Sequence, residues 1–334
     1  VCDVMPLRKL NRLIALNALK NFDITKNLPL NTLFELNKKK NKININDLGY
    51  LIGPILNAGG RLGKSQYATE LLSSNNDQVI KDRSNYLIKL NNKRKEIETL
   101  VLNEINFQKI EKENKEVIIY YNPNINEGLI GIIAARLKDY FNKPSIVITT
   151  SNGLLKGSAR SVYNYNIGCV IKNSLNKDII TGGGGHNMAA GFTLNKNKLK
   201  DFENYILENF LKSNTVNNNI FLYESEVSSL AFNQDFYDDI KKLEPFGTGN
   251  SVPTFMIRDL RIIKPIVLNN KHISAILKSK AGYSFKSISF NSINTKVGEH
   301  LINYKNNINV IGQINENNWN NKKTLQLTIR DLVL

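Results

Sequence analysis

The chain has 334 residues, enough for two or three domains, and 41% of them are apolar, an ordinary globular proportion. Forty-five Lys and Arg against 29 Asp and Glu give a net charge of +16, which suits a polyanionic partner, although a chain this rich in Asn, Lys and Ile is basic by composition as well. No uncharged apolar run is long enough to span a bilayer. The two cysteines, Cys2 and Cys169, lack CxxC partners and cannot build a disulfide framework or a zinc site, so they read as small apolar residues in a reduced, cytoplasmic setting. The first residues, VCDVMPLRKL, hold neither an apolar signal core nor a small-residue cleavage site, and a start at Val1 leads us to expect a piece of a longer protein.

In chain order, residues 77–115 form the longest helical pattern. Leu87, Leu90, Arg94, Ile97, Val101 and Ile105 recur near a 3.6 period with no Gly or Pro between them, which predicts a helical strut between domains. Residues 116–212 read as an α/β unit. Strands are expected over 117–121, 145–150 and 154–161, helices over 128–141 and 199–211, and a glycine-rich loop at 182–185. From 214 to 334 the period changes to two: Leu325, Leu327 and Ile329 alternate with Thr324, Gln326, Thr328 and Arg330. Strand-like runs at 219–228, 253–258, 260–268, 271–278, 283–290, 307–314 and 324–333 predict a small barrel or sandwich, preceded by one helix over 234–243.

Six segments could carry chemistry. Asp3 could ligate a hard divalent cation, or simply cap a helix. GPILNAGGRLG, residues 53–63, reads as a glycine loop in which Asn57 and Arg61 offer donors to a phosphate; a flexible turn fits equally. NEGLIGIIAAR, residues 126–136, opens a helix after a strand, where free N–H groups favour an anion, although Glu127 would repel one and plain packing would also explain Gly131. In KGSARS, residues 156–161, a strand would put Lys156, Ser158 and Arg160 on one face, either to track a phosphodiester backbone or as an ordinary exposed strand. GGGGHNMAAG, residues 182–191, can form a nest of N–H groups around Gly184 and Gly185, with His186 adding a hydrogen bond or remaining structural. LEPFGTGN, residues 243–250, is turn chemistry, and Arg258, Lys271, His272 and Trp319 could bind single strands on the barrel or be plain surface.

Taken in this order, VCDVMPL, GPILNAGGRLG, NEGLIGIIAAR, KGSARS, GGGGHNMAAG and LEPFGTGN resemble the motifs of the RecJ family of the DHH phosphoesterase superfamily along essentially the whole chain. Two positions depart from the family pattern: Ile55 stands where Arg is frequent, and Asn126 where His is common. The resemblance implies an α/β plus β fold. Its parts would be the end of a DHH α/β domain (1–76), a long connecting helix (77–115), a DHH-associated α/β domain (116–213) and a C-terminal OB-like β-barrel (214–334). It also implies a 5′→3′ exonuclease specific for single-stranded DNA, using two Mn²⁺ or Mg²⁺ ions and serving DNA repair and recombination. Asp3 would be a metal ligand and the remaining ligands would lie upstream of Val1, leaving the chain alone inactive. Arg61 would grip the 5′-phosphate, with Asn57, Ser158, Arg160, Gly184, Gly185 and His186 holding substrate, and the barrel would complete a channel too narrow for duplex. A monomer is expected, with single-stranded DNA as partner and a single-strand-binding protein or helicase as further partners. The alternatives are a DHH phosphodiesterase acting on short RNA or cyclic dinucleotides, and a non-catalytic single-strand-binding fragment.

Overall fold

The computed structural model describes residues 5–39, 42–213, 222–293, 295–304, 306–319 and 322–333. Its elements, in chain order, begin with α1 (Lys9–Asn21), α2 (Leu28–Leu36), a π-helical turn (Asp47–Ile52) that runs straight into α3 (Gly53–Arg61), α4 (Gln66–Ser73), α5 (Asp77–Glu104) and α6 (Phe107–Glu113). Then follow β1 (Ile118–Tyr121), α7 (Ile130–Phe141), β2 (Ser145–Ser151), β3 (Leu154–Arg160), α8 (Ile167–Asn176), β4 (Gly182–His186), β5 (Ala189–Leu194) and α9 (Leu199–Lys212). The last are β6 (Ser225–Glu226), α10 (Gln234–Lys241), β7 (Phe255–Leu268), β8 (His272–Ser279), β9 (Ser284–Ser289), α11 (Lys296–Asn303), β10 (Ile308–Trp319) and β11 (Lys322–Val333). They form two bodies, Asp23–Asn218, and Val1–Phe22 together with Asn219–Leu334.

In the first body α5 is the spine. Asn76 caps it, its side chain accepting from the N–H groups of Gln78 and Val79, and Ile80, Ser84, Leu87, Leu90, Asn91, Arg94 and Glu98 are its buried residues. The helix packs against α2, α3 and α4 and also against α7. The single helix expected over 77–115 is divided at Ile105. That residue is extended and buried, and the Asn106 side chain accepts from Lys109 N–H to start α6 as a separate helix.

The sheet of this body has the order β1-β2-β3-β5-β4, with β1–β2 parallel and the other pairs antiparallel. One face packs on α7, where Val147 joins Ile130, Ile133 and Leu137. The other face packs on α8 and α9, where Leu155, Ala159, Ala190 and Phe192 meet Ile167, Ile171, Phe202 and Ile206. The glycine run at 182–185, expected as a loop, is strand β4: its ladder to β5 pairs Gly182 with Thr193 through His186 with Ala189. GPILNAGGRLG is likewise helical and not a loop. Pro54 stands where the π-helical turn passes into α3, where its missing N–H interrupts the hydrogen-bond ladder, and Ile55, Ala58 and Gly59 are buried.

In the second body β7, β8, β9, β11 and β10 close into a five-stranded barrel. Neighbours pair antiparallel except β9 with β11, and β10 returns to β7. The period-two sequence predicted a small barrel or sandwich, and the closed barrel is the OB-like arrangement that the family resemblance implied. The runs at 253–258 and 260–268 are one strand, bent at Asp259, which has a positive φ of 55°. Phe255, Ile257, Leu260, Leu277, Val310, Ile314 and Leu327 fill the interior, and α11, unforeseen in the sequence, covers part of it with Leu301. LEPFGTGN holds the N-terminal segment of the same body. Leu7 N–H donates to Thr248 O (2.7 Å), Arg8 Nε to Gly249 O (2.5 Å), and Arg12 to the carbonyls of Lys242 (3.2 Å) and Glu244 (2.8 Å).

Candidate nucleic-acid interface

Strand register explains how the expected site residues meet. Opposite residues on adjacent strands share a face. Three rows therefore lie on the α7 side of the sheet: Lys156–Thr193–Gly182, Ser158–Gly191–Gly184 and Arg160–Ala189–His186. Lys156, Ser158 and Arg160 thus do share a face. Neighbouring rows are two residues apart, about 7 Å. Gly185 falls on the other face, where a Cβ would sit 2.5 Å from Ala190 Cα, and Gly168 of α8 presses against its backbone. At Gly182 and Gly184 a Cβ would meet no protein atom within 4 Å, and at Gly191 only Gly157 O at 3.9 Å. Packing therefore does not require glycine at these three places. They form a bare floor that something flat can approach.

α7 begins beside this floor. A cavity of about 490 Å³ is lined by Asn57, Gly60, Arg61, Glu127, Gly128, Ile130, Gly131, Ser158 and Arg160. A second, of about 540 Å³, shares Glu127, Gly128 and Ile130 and continues to Lys156, Gly182, Gly191 and Thr193. The α3 residues and the β3 residues predicted from sequence thus converge on one cleft. Gly184 and His186 belong to the same face by register and border neither cavity.

Two close approaches assemble the cleft. The backbone of Arg61 lies against Gly128, where any side chain would overlap it, and Arg61 Nη1 donates to Gly128 O (3.1 Å). At Gly131, a Cβ would lie 2.8 Å from Arg160 Nη2 and 3.1 Å from Ser158 Oγ, so this glycine leaves room for the pair. Arg160 Nη1 donates to Ser158 Oγ (3.0 Å) and to Ala159 O (2.8 Å). Met188 N–H donates to His186 Nδ1 (3.3 Å), so the neutral ring carries its proton on exposed Nε2, ready to donate.

The electrostatics call for an anion. Partial burial holds Arg61 below the usual guanidinium range, the charge of Arg94 adds to this, and Glu98 opposes it. Burial also lowers Arg160, with Arg61 contributing. Among the described residues neither arginine forms an ion pair, whereas Arg94 and Arg136 both bond Glu98, each at 2.8 Å. Two partly buried cations thus face one opening, and among the described residues neither is within ion-pair distance of a carboxylate. The charge of the opening is reduced by Glu127, which lines it and is exposed.

Asp3 and Cys2 lie outside the described residues, as does the Trp319 side chain. Among the described residues no group of three or more His, Cys, Asp or Glu could hold a metal ion, so they do not provide a metal centre. Cys169 is an exposed free thiol. On the barrel, Arg258 pairs with Glu226 (2.6 Å), and His272 packs edge-on to exposed Phe290, while Lys271 is exposed. Among the described residues no helix is long and apolar enough to cross a membrane. The bare glycines Gly182 and Gly191 and the Arg94–Glu98–Arg136 bridge were not anticipated. The i,i+4 spacing of Arg94 and Glu98 was a signal available for the second of these.

A cleft lined by two partly buried arginines, joined in one chain to an OB barrel, is an arrangement suited to a polyanionic ligand. Residues 114–212 match the DHHA1 domain and residues 223–331 the RecJ OB domain. The chain is 28% identical over 99% of its length to the single-stranded-DNA-specific exonuclease RecJ of Bacillus subtilis, and 32% identical over 89% to that of Haemophilus influenzae. It spans 42% and 54% of those two proteins. The crystal structure of Thermus thermophilus RecJ in complex with Mn²⁺ superposes with a TM-score of 0.83 at 21% identity, over all of this chain and 48% of that one, and its Mg²⁺ complex gives 0.80. The chain belongs to the RecJ family.

Proposed function

We propose that this chain is the substrate-gripping portion of a 5′→3′ exonuclease specific for single-stranded DNA, acting in the cytoplasm in DNA repair and recombination. The observation that carries the reading is the convergence of Arg61 with Ser158 and Arg160 on one cleft, with two partly buried guanidiniums and no ion pair among the described residues. Arg61, assisted by Asn57, takes the 5′-terminal phosphate. Ser158 and Arg160 take the next phosphate, and His186 Nε2 and the bare floor around Gly184 receive the following nucleotide. Gly185 contributes by seating β4 on α8.

Hydrolysis would need divalent metal, Mn²⁺ or Mg²⁺, which supplies activated water and charge neutralisation when bound. Asp3 is the residue of this chain proposed to help hold it. The OB barrel adds a second single-strand surface, and the match to the RecJ OB domain favours this reading over a phosphodiesterase of short RNA or cyclic dinucleotides. Fluorescence anisotropy with single-stranded DNA tests the grip. Binding should be stronger with a 5′-phosphate than with a 5′-hydroxyl, and should weaken steeply with salt. Equal affinity for both ends would remove Arg61 from the proposed role.

A further inference from the structure

The row Arg160–Ala189–His186 is the last of the sheet, and beyond it the chain makes a tight turn at Val162–Tyr165. Tyr165 N–H donates to Val162 O (3.4 Å), and Asn164 takes a positive φ of 70°, the geometry of a type II turn. The turn is anchored firmly. Val162 and Tyr165 are buried, and the buried Ser161 hydroxyl donates to Tyr165 O (2.6 Å). Ser161 N–H donates to Met188 O (2.9 Å), and Ile167 N–H to Asn187 O (3.2 Å), so the turn is also tied to the loop that follows His186.

Between those anchors sits Tyr163, 80% exposed, with Met188 exposed on the neighbouring loop. The Tyr163 Cα lies within about 7 Å of the Ser161 Cα by chain length alone. This tied-down turn displays an exposed aromatic ring just past the end of β3, three residues beyond Arg160 in the chain. An exposed aromatic ring beside backbone-tracking cations is the pattern that stacks nucleobases.

We infer that Tyr163, backed by Met188, is a stacking shelf for a nucleobase next to the phosphate held by Arg160 and His186. This rests on the DNA-gripping reading above and adds a base contact to a site otherwise made for phosphates. The shelf tolerates any base, because each presents a π-face.

The test uses the 334-residue chain, a short fluorescein-labelled oligothymidylate, and the abasic oligomer of the same length. Tyr163→Ala should weaken oligothymidylate binding roughly tenfold and leave abasic binding unchanged, while Tyr163→Phe holds the parental affinity. Tyr163→Trp should bind like the parent and add indole fluorescence, beyond that of Trp319 in the parent, that oligothymidylate quenches and the abasic oligomer does not. Matching thermal melting of all variants excludes misfolding. Loss of both oligomers together, or of neither, overturns the shelf and leaves the phosphate grip standing. Failure of the parent chain to bind either oligomer overturns both.

Discussion

Gly184→Ala separates a packing role from a binding role, because the two predict opposite results. Gly184 lies mid-strand without a positive φ, and a Cβ there would meet no protein atom within 4 Å. Alanine relieves the entropy that a strand glycine loses on folding, a gain of about 0.5–1 kcal/mol. For a body of this size that raises the melting temperature by roughly 1–4 °C. The same methyl group projects from the floor where the strand is proposed to lie. Forcing an extra methyl into a close contact costs about 1–3 kcal/mol, a loss of about 5- to 150-fold in affinity. Scanning calorimetry and anisotropy on one preparation read both numbers. Gly185→Ala is the internal control: its Cβ would be 2.6 Å from the Ala190 Cβ, so it should destabilise by about 1–3 kcal/mol or more. A more stable Gly184→Ala variant with unchanged affinity would show that no ligand rests on this strand. A less stable one would show that the face is not open.

Other substitutions probe the walls of the cleft. Arg61→Ala should abolish the preference for 5′-phosphorylated over 5′-hydroxyl DNA while melting at the parental temperature to within about 2 °C; a retained preference in anisotropy would exclude it. Glu98→Ala leaves buried Arg94 without its carboxylate and cuts the bridge from α5 to Arg136 on α7. It should cost about 3–5 kcal/mol, visible as a lower urea midpoint. Gly131→Ala displaces the Arg160 guanidinium from Ser158, and should weaken DNA binding severalfold with less than about 1 kcal/mol lost in urea unfolding. Raising salt should weaken binding by the parent more steeply than binding by an Arg61→Ala, Arg160→Ala double variant, whose logarithmic slope should be shallower by about 1.4.

Much of the candidate cleft was legible because cations and glycines advertise themselves. Arg61, Ser158 and Arg160 were identified from residue type and the two-residue period of β3, and the structure brings them to one cleft. A small barrel or sandwich was legible from the alternation of Leu325, Leu327 and Ile329, and its OB form only from the family resemblance. Less legible was anything decided by distant partners. GGGGH carries no local strand signal, and becomes β4 only because AAGFTL offers a ladder for it. GPILNAGGRLG looks like a loop from its glycines, yet the buried Ile52, Ile55 and Ala58 at helical spacing determine its form. The split of the face at Gly184 and Gly185 follows from register alone, which no count of glycines reveals. α8 escaped notice although Asn166 caps it, accepting from Cys169 N–H.

The grip of LEPFGTGN on Leu7, Arg8 and Arg12 bears on any attempt to dissect the polypeptide. A body whose parts come from opposite ends of the sequence cannot be excised by one cut. A barrel made from residues 223–331 alone would present the carbonyls of Lys242, Glu244 and Gly249 without the guanidiniums that satisfy them. Supplying residues 5–22 as a separate peptide should restore those contacts in trans, which makes the loop a natural seam for split-protein complementation.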